Sequence, residues 1–258
     1  DIAASSFNDD TITWFKNSSV TTWDGSSSNA WATADNWSSG IPTPNTDITI
    51  PAGLANYPTV TAAVAVKSVN LASGTSIIAQ NTFAGNITYT RNLATDNWYL
   101  VSSPVAGETL EDFIANNSFA TGSGSNIGLA PYINGGTAWD YQTAATTGSI
   151  VSGSGYSVKL VSAGDLTFTG TLPVTDVNIA ITTNTNGFNL VGNPYPSYIS
   201  GNPSADGTHN LISVNTASLT EATIWLWNQA TDSYDTFNLA SSSLFISPAQ
   251  GFFVSSNG

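Results

Sequence analysis

NWYLVSSP at residues 97–104 and GFNLVGNP at residues 187–194 are the stretches that decide the fold of this chain, because they carry one pattern. In each stretch an aromatic residue precedes Leu–Val, two small or polar residues and a proline. A tryptophan segment follows both, around Trp139 in the first copy and around Trp225 in the second. Each copy then closes on a glycine–aromatic segment, at residues 153–158 and 249–254.

The two copies are offset by about 90 residues and keep their landmarks in the same order. This order predicts two related β-sandwich-like units, residues 93–186 and residues 187–258. The prediction allows the second unit to continue beyond residue 258. Two unrelated sets of strands with a similar vocabulary are the alternative. If the copies are related, Pro104 and Pro194 must occupy equivalent points of their units.

Short segments of alternating apolar and polar residues fill much of the remaining chain, as expected for strands with one buried face. Turn signals such as Asp24–Gly25 and Asn186–Gly187 separate them. We therefore predict an all-β fold in which residues 1–92 form a small β-sandwich or a short β-solenoid module. The clearest alternating segments are residues 47–50, 64–66, 69–71, 166–169 and 177–181.

One segment, residues 107–117, has the pattern of a helix. Leu110 and Phe113 fall on one face, and Thr109 with an acidic residue three positions later resembles a capping box. Glu108 and Glu111 fit the acidic start of such a helix, which the helix dipole favours. We predict a helix of about three turns at most.

The composition excludes several classes of partner. Charged residues make up 8% of the chain, with four lysines and arginines and a net charge of −13. Such a chain lacks the clustered cations that nucleic acid or an anionic membrane requires. It has no cysteine, which excludes disulfides and cysteine-ligated metals. No apolar run reaches the roughly 18 residues of a membrane span.

The chain contains few side chains that could serve as catalytic groups. His209 is the single histidine and lies in a polar turn, where a surface position is expected. The chain has three glutamates and no Gly-x-Ser-x-Gly nucleophile elbow, although composition alone leaves a Ser–His–Asp triad open. We predict that the chain is not an enzyme.

Residues 23–51, which contain Trp31 and Asn36–Trp37, resemble a segment common in large secreted proteins of Bacteroidetes. Residues 190–197 resemble another recurrent stretch of these proteins, and residues 250–254 extend the similarity towards the chain end. The resemblance implies export by the type IX secretion system. It also implies an extracellular or cell-surface location in a Gram-negative bacterium.

Proteins of this kind usually end in a C-terminal sorting domain, and none is recognisable here. We therefore expect that more chain follows Gly258 or that the domain was removed.

Trp225 and Trp227 are the candidate contact residues. In a regular strand they point to one face, with Ile224 and Leu226 on the other, so the strand is apolar on both faces. One of these faces then contacts a ligand, such as a sugar ring, or a partner. The alternative is that these tryptophans, which occupy landmarks of the repeat, form core.

Two weaker site hypotheses concern oxygen-rich segments. Calcium takes oxygen ligands, which makes residues 8–10 and the turn from Asp232 to Asp235 candidates, although no EF-hand pattern is present. Thr11 follows Asp10 and precedes an aliphatic residue. This resembles the short O-glycosylation pattern of Bacteroidetes. No other cofactor is expected.

The expected function is that of a non-catalytic structural or adhesive component of an extracellular surface layer, appendage or filament. A carbohydrate-binding module of a secreted multidomain protein is the alternative. Expected partners are other surface proteins or copies of this chain, and glycans under the alternative. Strand exchange between chains through residues 11–15 or 251–254 is one route to assembly, and pairing of both ends within their own units is the other.

Overall fold

In a computed structural model of the chain, residues 3–5, 12–14, 19–136 and 138–258 are described, without the side chains of residues 3–5, 12–14 and 138. Strands dominate these residues, which confirms the predicted all-β fold. The helices are α1 (Leu110–Asn116) and α2 (Leu211–Val214), and the 3-10 turns are Ala34–Asn36 and Thr216–Ser218. The strands β1 to β19 are, in order, Ala3–Ser5, Ile12–Trp14, Ser19–Thr22, Thr46–Ile50, Thr59–Val60, Val64–Leu71, Ile78–Ala79, Phe83–Leu93, Tyr99–Ser102, Leu129–Ile133, Ala138–Trp139, Gly155–Val158, Gly164–Gly170, Phe188–Gly192, Ile199–Ser200, Thr223–Asn228, Ser233–Asn238, Phe245–Ile246 and Gly251–Ser255.

The N-terminal part is a stack of parallel strands. Strands β3, β4, β6 and β8 pair in chain order, and a second short row forms where β5 pairs parallel with β7. The register places Ile48 beside Val69, and Val69 beside Ile87. All three side chains are fully buried, because alternate residues of each strand face the same core. The predicted segments 64–66 and 69–71 are one strand, β6, with a bulge between them.

Three tryptophans fill the core beside this stack. Trp37 lies between Trp23 and Trp31, with ring centroids 4.9 Å and 4.7 Å away in edge-to-face contact. The indole N–H of Trp23 donates to the carbonyl of Asn56, and that of Trp37 donates to the carbonyl of Trp31, both at 2.8 Å. The segment that carries the resemblance therefore folds into buried core.

Strand β13 closes the parallel stack by pairing antiparallel with β8. By sequence β13 belongs to residues 93–186, whereas β8 lies almost wholly in residues 1–92. The hydrophobic core of the stack accordingly continues into side chains of the next sheet, such as Val101 and Tyr156. The segment boundaries drawn from the sequence stay a prediction.

The two repeat copies form four-stranded antiparallel sheets with one strand order. The first sheet runs β11-β10-β12-β9 and the second runs β17-β16-β19-β14. Ser102 faces Gly155 in the first sheet, and Gly192 faces Gly251 in the second. Pro104 and Pro194 each follow two residues after these paired positions, so they occupy equivalent points.

The sheets contact each other through matched backbone groups. The Ser102 N–H donates to the carbonyl of Ala249 at 3.1 Å, and the equivalent Gly192 N–H donates to the carbonyl of Gly153 at 2.9 Å. Gly153 and Ala249 both have positive φ, at 86° and 60°. An approximate two-fold axis thus relates the two sides of this contact.

Helix α1 agrees with its sequence pattern. Thr109 caps it by accepting the N–H of Asp112 at 3.1 Å, and the Thr109 hydroxyl donates to the Asp112 carboxylate at 2.8 Å. Phe113 is fully buried in the core that Leu110 also contacts. The short helix α2 has no comparable sequence pattern, and Asn210 caps it by accepting the N–H of Ser213.

Residues 177–181 do not form the predicted strand. Their alternation is real, with Ile179 half-buried and Asn178 exposed, but their backbone joins no ladder. The Val177 N–H instead donates to the Tyr195 hydroxyl at 3.2 Å, and the Thr182 N–H donates to the Asn189 side chain at 3.0 Å. The segment packs its apolar side chains against the second sheet over an apolar cavity of about 400 Å³.

Both ends of the chain have partners in the described residues. Strand β2 pairs with β1, and β19 is hydrogen-bonded to β14 on one side and to β16 on the other. The C-terminal strand is therefore the interior of its own sheet. Strand exchange through residues 251–254 would require that sheet to be dismantled.

Candidate functional site: an aromatic groove

Half-exposed aromatic side chains line a groove where the two repeat sheets meet. Beneath it lies a small core of Leu100, Leu190 and Phe253, which are almost completely buried. We call this surface the aromatic groove. Buried Phe253 forms part of its floor, and its other rings belong to Trp98, Tyr132, Trp139, Tyr141, Phe188, Trp225, Trp227 and Tyr234.

Strand β16 positions the two candidate tryptophans. Trp225 lies opposite Phe253 of β19, and Trp227 lies opposite Tyr234 of β17. Alternation sends Ile224 and Leu226 to the other face, where both contact a separate core that includes α2. The sheet therefore fixes both tryptophans on the groove side, and each is half-buried there.

Edge-to-face contacts hold the rings in place. The Tyr132 ring contacts Trp139 at a centroid distance of 5.4 Å and Phe253 at 4.9 Å. Trp225 contacts Phe188 at 5.2 Å with the planes 84° apart. Such geometry places a ring edge against a neighbour's electron-rich face, so it stabilises the arrangement beyond simple burial.

The groove is large enough for a small ligand. The part between Trp225 and Tyr132 encloses about 430 Å³, within the usual range of small-molecule sites. A second part, near Trp98 and Trp227, encloses about 190 Å³. Both parts are lined by Trp139 and Tyr234, so they are adjacent.

Polar groups of the groove are few. Asn186 donates to the Tyr132 hydroxyl at 2.6 Å on the rim. The indole N–H of Trp227 is buried and has no acceptor among the described residues. An unsatisfied buried donor costs about 1–3 kcal/mol.

Sequence reasoning found Trp225 and Trp227 but missed much of the groove. Tyr132, Tyr141 and Tyr234 carry no motif that marks them as neighbours. Tyr132 and Phe253 come from different sheets, so only the contact between sheets brings them together. Phe188 was visible as a landmark of the repeat, yet nothing in the sequence placed its ring beside Trp225.

The other predicted sites do not converge on the groove. His209 is exposed in its turn, 3.9 Å from the carboxylate of Asp206. The pKa of Asp206 lies below its usual value because the N–H groups of His209 and Thr208 donate to its carboxylate.

The oxygen-rich candidates give no metal centre in the described part of the chain. Asp232 has a positive φ of 52° in the turn after β16, and the Asp235 carboxylate accepts from Asn228 at 2.8 Å. No group of three or more His, Asp or Glu side chains is suited to hold a metal there. Residues 8–10 and Thr11 lie outside the described residues.

Glu108 directly precedes the N-cap residue of α1, as the sequence predicts, but its carboxyl group is buried. It is only 3% exposed, and one carboxyl oxygen, Oε1, accepts from the backbone and the hydroxyl of Thr169 at 2.9 Å and 3.0 Å. The other oxygen, Oε2, has no partner among the described residues. Burial raises the pKa of Glu108 to about 7, so the carboxyl is mostly protonated below that pH. The group joins α1 to β13 and does not line the groove.

Replacing Glu108 with glutamine should therefore change how stability depends on pH. The wild-type carboxyl keeps its proton only in the folded state between the unfolded pKa of 4.5 and the folded pKa of about 7. Across that window the wild type should lose up to about 3 kcal/mol of stability as pH rises, and Glu108→Gln should not. Urea denaturation at pH 5 and pH 8 measures the difference. Glu221→Gln, at an exposed position, should show no such change.

No protein-family model, curated protein or solved structure matches this chain. Among the described residues, no helix is both long and apolar enough to cross a membrane. The fold and the aromatic groove are therefore the observations from which a function is inferred.

Proposed function

We propose that this protein is a non-catalytic adhesive or structural component of an extracellular bacterial surface layer, appendage or filament. The aromatic groove is its adhesive contact. The single observation that carries this proposal is that the tryptophans of both repeat copies converge on one open surface. Tryptophan and tyrosine dominate the binding energy of many interfaces because they bury large area at low entropic cost.

Other features of the chain support the same role. Charged residues are few, so chains can approach one another without strong like-charge repulsion. We propose that the parallel stack is a short β-solenoid module and that the two sheets descend from one duplicated unit. Repeated and stacked units suit an extended surface structure. Type IX export, inferred from the sequence resemblance, remains part of the proposal.

The alternative function is a carbohydrate-binding module of a secreted multidomain protein. The adjacency of the two parts of the groove favours it, since a chain of sugars needs a series of apolar platforms. The face of an aromatic ring is electron-rich, so it attracts the weakly positive C–H face of a sugar. The polar rim around Asn186 would meet the hydroxyl groups.

Trp225→Ala and Trp227→Ala should each weaken glycan binding at least about tenfold, because each removes a large flat contact. The measurement is an array of oligosaccharides followed by titration of the bound ones. Phe245→Ala is a suitable control, because Phe245 is 55% exposed and lies outside the groove. Unchanged binding in both tryptophan variants, with the fold intact by circular dichroism, would show that the groove is not the binding site.

Electron microscopy of the native material separates the two candidate functions. Filaments or a regular layer support the structural role. Monomeric particles that bind glycans through the groove support the binding module. Filaments that disappear when residues 1–15 are deleted would point to assembly through the N-terminal segment.

A further inference from the structure

Lys159 differs from the other basic residues that the structure describes. Lys67 forms an exposed ion pair with Asp47, and Arg91 donates to carbonyl and amide oxygens. The Lys159 ammonium has neither an ion pair nor a hydrogen bond within the described residues. It is half-buried and lines a cavity of about 400 Å³, which we call the Lys159 cavity.

The Lys159 cavity has both apolar and polar walls. Thr121, Ser123 and Asn126 contribute to its wall. These residues belong to a tight loop that closes where the Gly122 N–H donates to the Asn126 carbonyl at 2.7 Å. The loop therefore holds its shape through its own backbone.

The Lys159 cavity adjoins the aromatic groove. Trp98 and Tyr141 line both, and their rings contact each other at 5.8 Å in edge-to-face geometry. The Lys159 cavity therefore shares a wall with the part of the groove near Trp227.

We propose that the Lys159 cavity is a subsite for the carboxylate of an acidic sugar at one end of a bound oligosaccharide. This inference rests on glycan binding in the aromatic groove, the alternative function above. An unpaired lysine in the wall of a cavity is complementary to a carboxylate, and hydrogen bonds between charged groups are among the strongest in proteins. The neighbouring hydroxyl and amide side chains suit sugar hydroxyl groups.

The net charge of the whole chain further restricts the class of ligand. At a net charge of −13 the protein repels a densely charged polyanion. A single carboxylate that contacts Lys159 gains local attraction, while more distant charges are screened within about 10 Å at ordinary salt. The ligand is therefore an oligosaccharide with isolated acidic sugars and not a uniformly anionic polymer.

The test uses an array of oligosaccharide pairs that are identical except that one member ends in a uronic acid and the other in the neutral sugar. The wild type should bind the acidic member about tenfold more tightly at low salt. Lys159→Met should reduce that affinity to the level of the neutral member. Lys159→Arg should retain part of the preference, and Lys67→Met, a control at an exposed ion pair, should retain all of it.

The outcomes separate the two inferences. Equal binding of acidic and neutral members by the wild type overturns the acidic subsite and leaves glycan binding in place. A preference for the acidic member that survives Lys159→Met also overturns it. Absence of binding to every pair overturns glycan binding itself, and the subsite with it.

Discussion

Gly192→Ala should lower the free energy of unfolding by about 3 kcal/mol or more, because the two repeat sheets approach each other too closely there for a side chain. A Cβ atom at this position would lie 2.2 Å from the Cβ of Ser102 and 2.7 Å from the carbonyl oxygen of Gln250. Neither atom is the end of a flexible side chain, so the sheets would have to separate. Urea denaturation of the purified variant measures the loss.

The control for this prediction is Gly207→Ala. Gly207 is exposed, and a Cβ there would meet nothing within 4 Å. Its stability should stay within about 0.5 kcal/mol of the wild type. Equal stability of Gly192→Ala and Gly207→Ala would contradict the close contact of the sheets.

The approximate two-fold symmetry allows a sharper test. Ser102 and Gly192 are equivalent residues of the two copies and face each other across the contact. In the double variant Ser102→Gly with Gly192→Ala, the small and the larger residue exchange sheets. We expect partial recovery relative to Gly192→Ala alone, because the contact with Ser102 disappears while that with Gln250 remains. Additive losses would show that the two positions do not meet.

Arg91→Ala should also be strongly destabilising, by about 3 kcal/mol. Arg91 extends from β8 to the contact between the sheets and donates to the carbonyls of Leu100 and Ala249 and to the Gln250 side chain. No carboxylate lies within ion-pair distance of it in the described chain. Burial lowers the pKa of Arg91 to about 10, so it stays charged at neutral pH. Its loss removes hydrogen bonds from a charged donor to three acceptors, each worth about 1.5–3 kcal/mol.

Lys67→Ala is the matched comparison for Arg91→Ala, since Lys67 is a basic residue of the same five-stranded sheet. Its ion pair with Asp47 is exposed, so the variant should lose less than about 1 kcal/mol. Arg91→Lys should fall between the two, because an ammonium keeps the charge but cannot reach all the acceptors that the guanidinium does. Thermal unfolding ranks the three variants, and a ranking with Lys67→Ala as the least stable would refute this account of Arg91.

Much of the local structure follows from the sequence. The alternation in residues 47–50 and 166–169 gives β4 and β13, and the Thr109 pattern gives α1. The alternation also places Trp225 and Trp227 on one face of β16. These features depend on neighbours along the chain, which is why a single sequence reveals them.

Reasoning from the sequence fails where residues distant in the chain determine the structure or burial of a segment. Residues 177–181 alternate like a strand, but side chains of Tyr195 and Asn189 take the hydrogen bonds at the ends of the segment. Glu108 has the sequence position of a helix-start acid, yet β13 covers it and supplies Thr169. Hydrophobic periodicity predicts which face of a segment is apolar, but it does not predict which residues pack against that face.

The tryptophans show most clearly the difference between features set by the local sequence and features set by tertiary contacts. The sequence by itself determined that the chain is all-β and that one pattern occurs at residues 97–104 and 187–194. It did not place the tryptophans at equivalent points, because Trp139 lies on the edge strand β11 and Trp225 on the inner strand β16. Only the tertiary structure decided that Trp23, Trp31 and Trp37 are buried, whereas Trp139 and Trp225 line an open groove. The physical reason is that exposure depends on how closely two sheets approach, and glycine contacts between residues far apart in sequence set that distance.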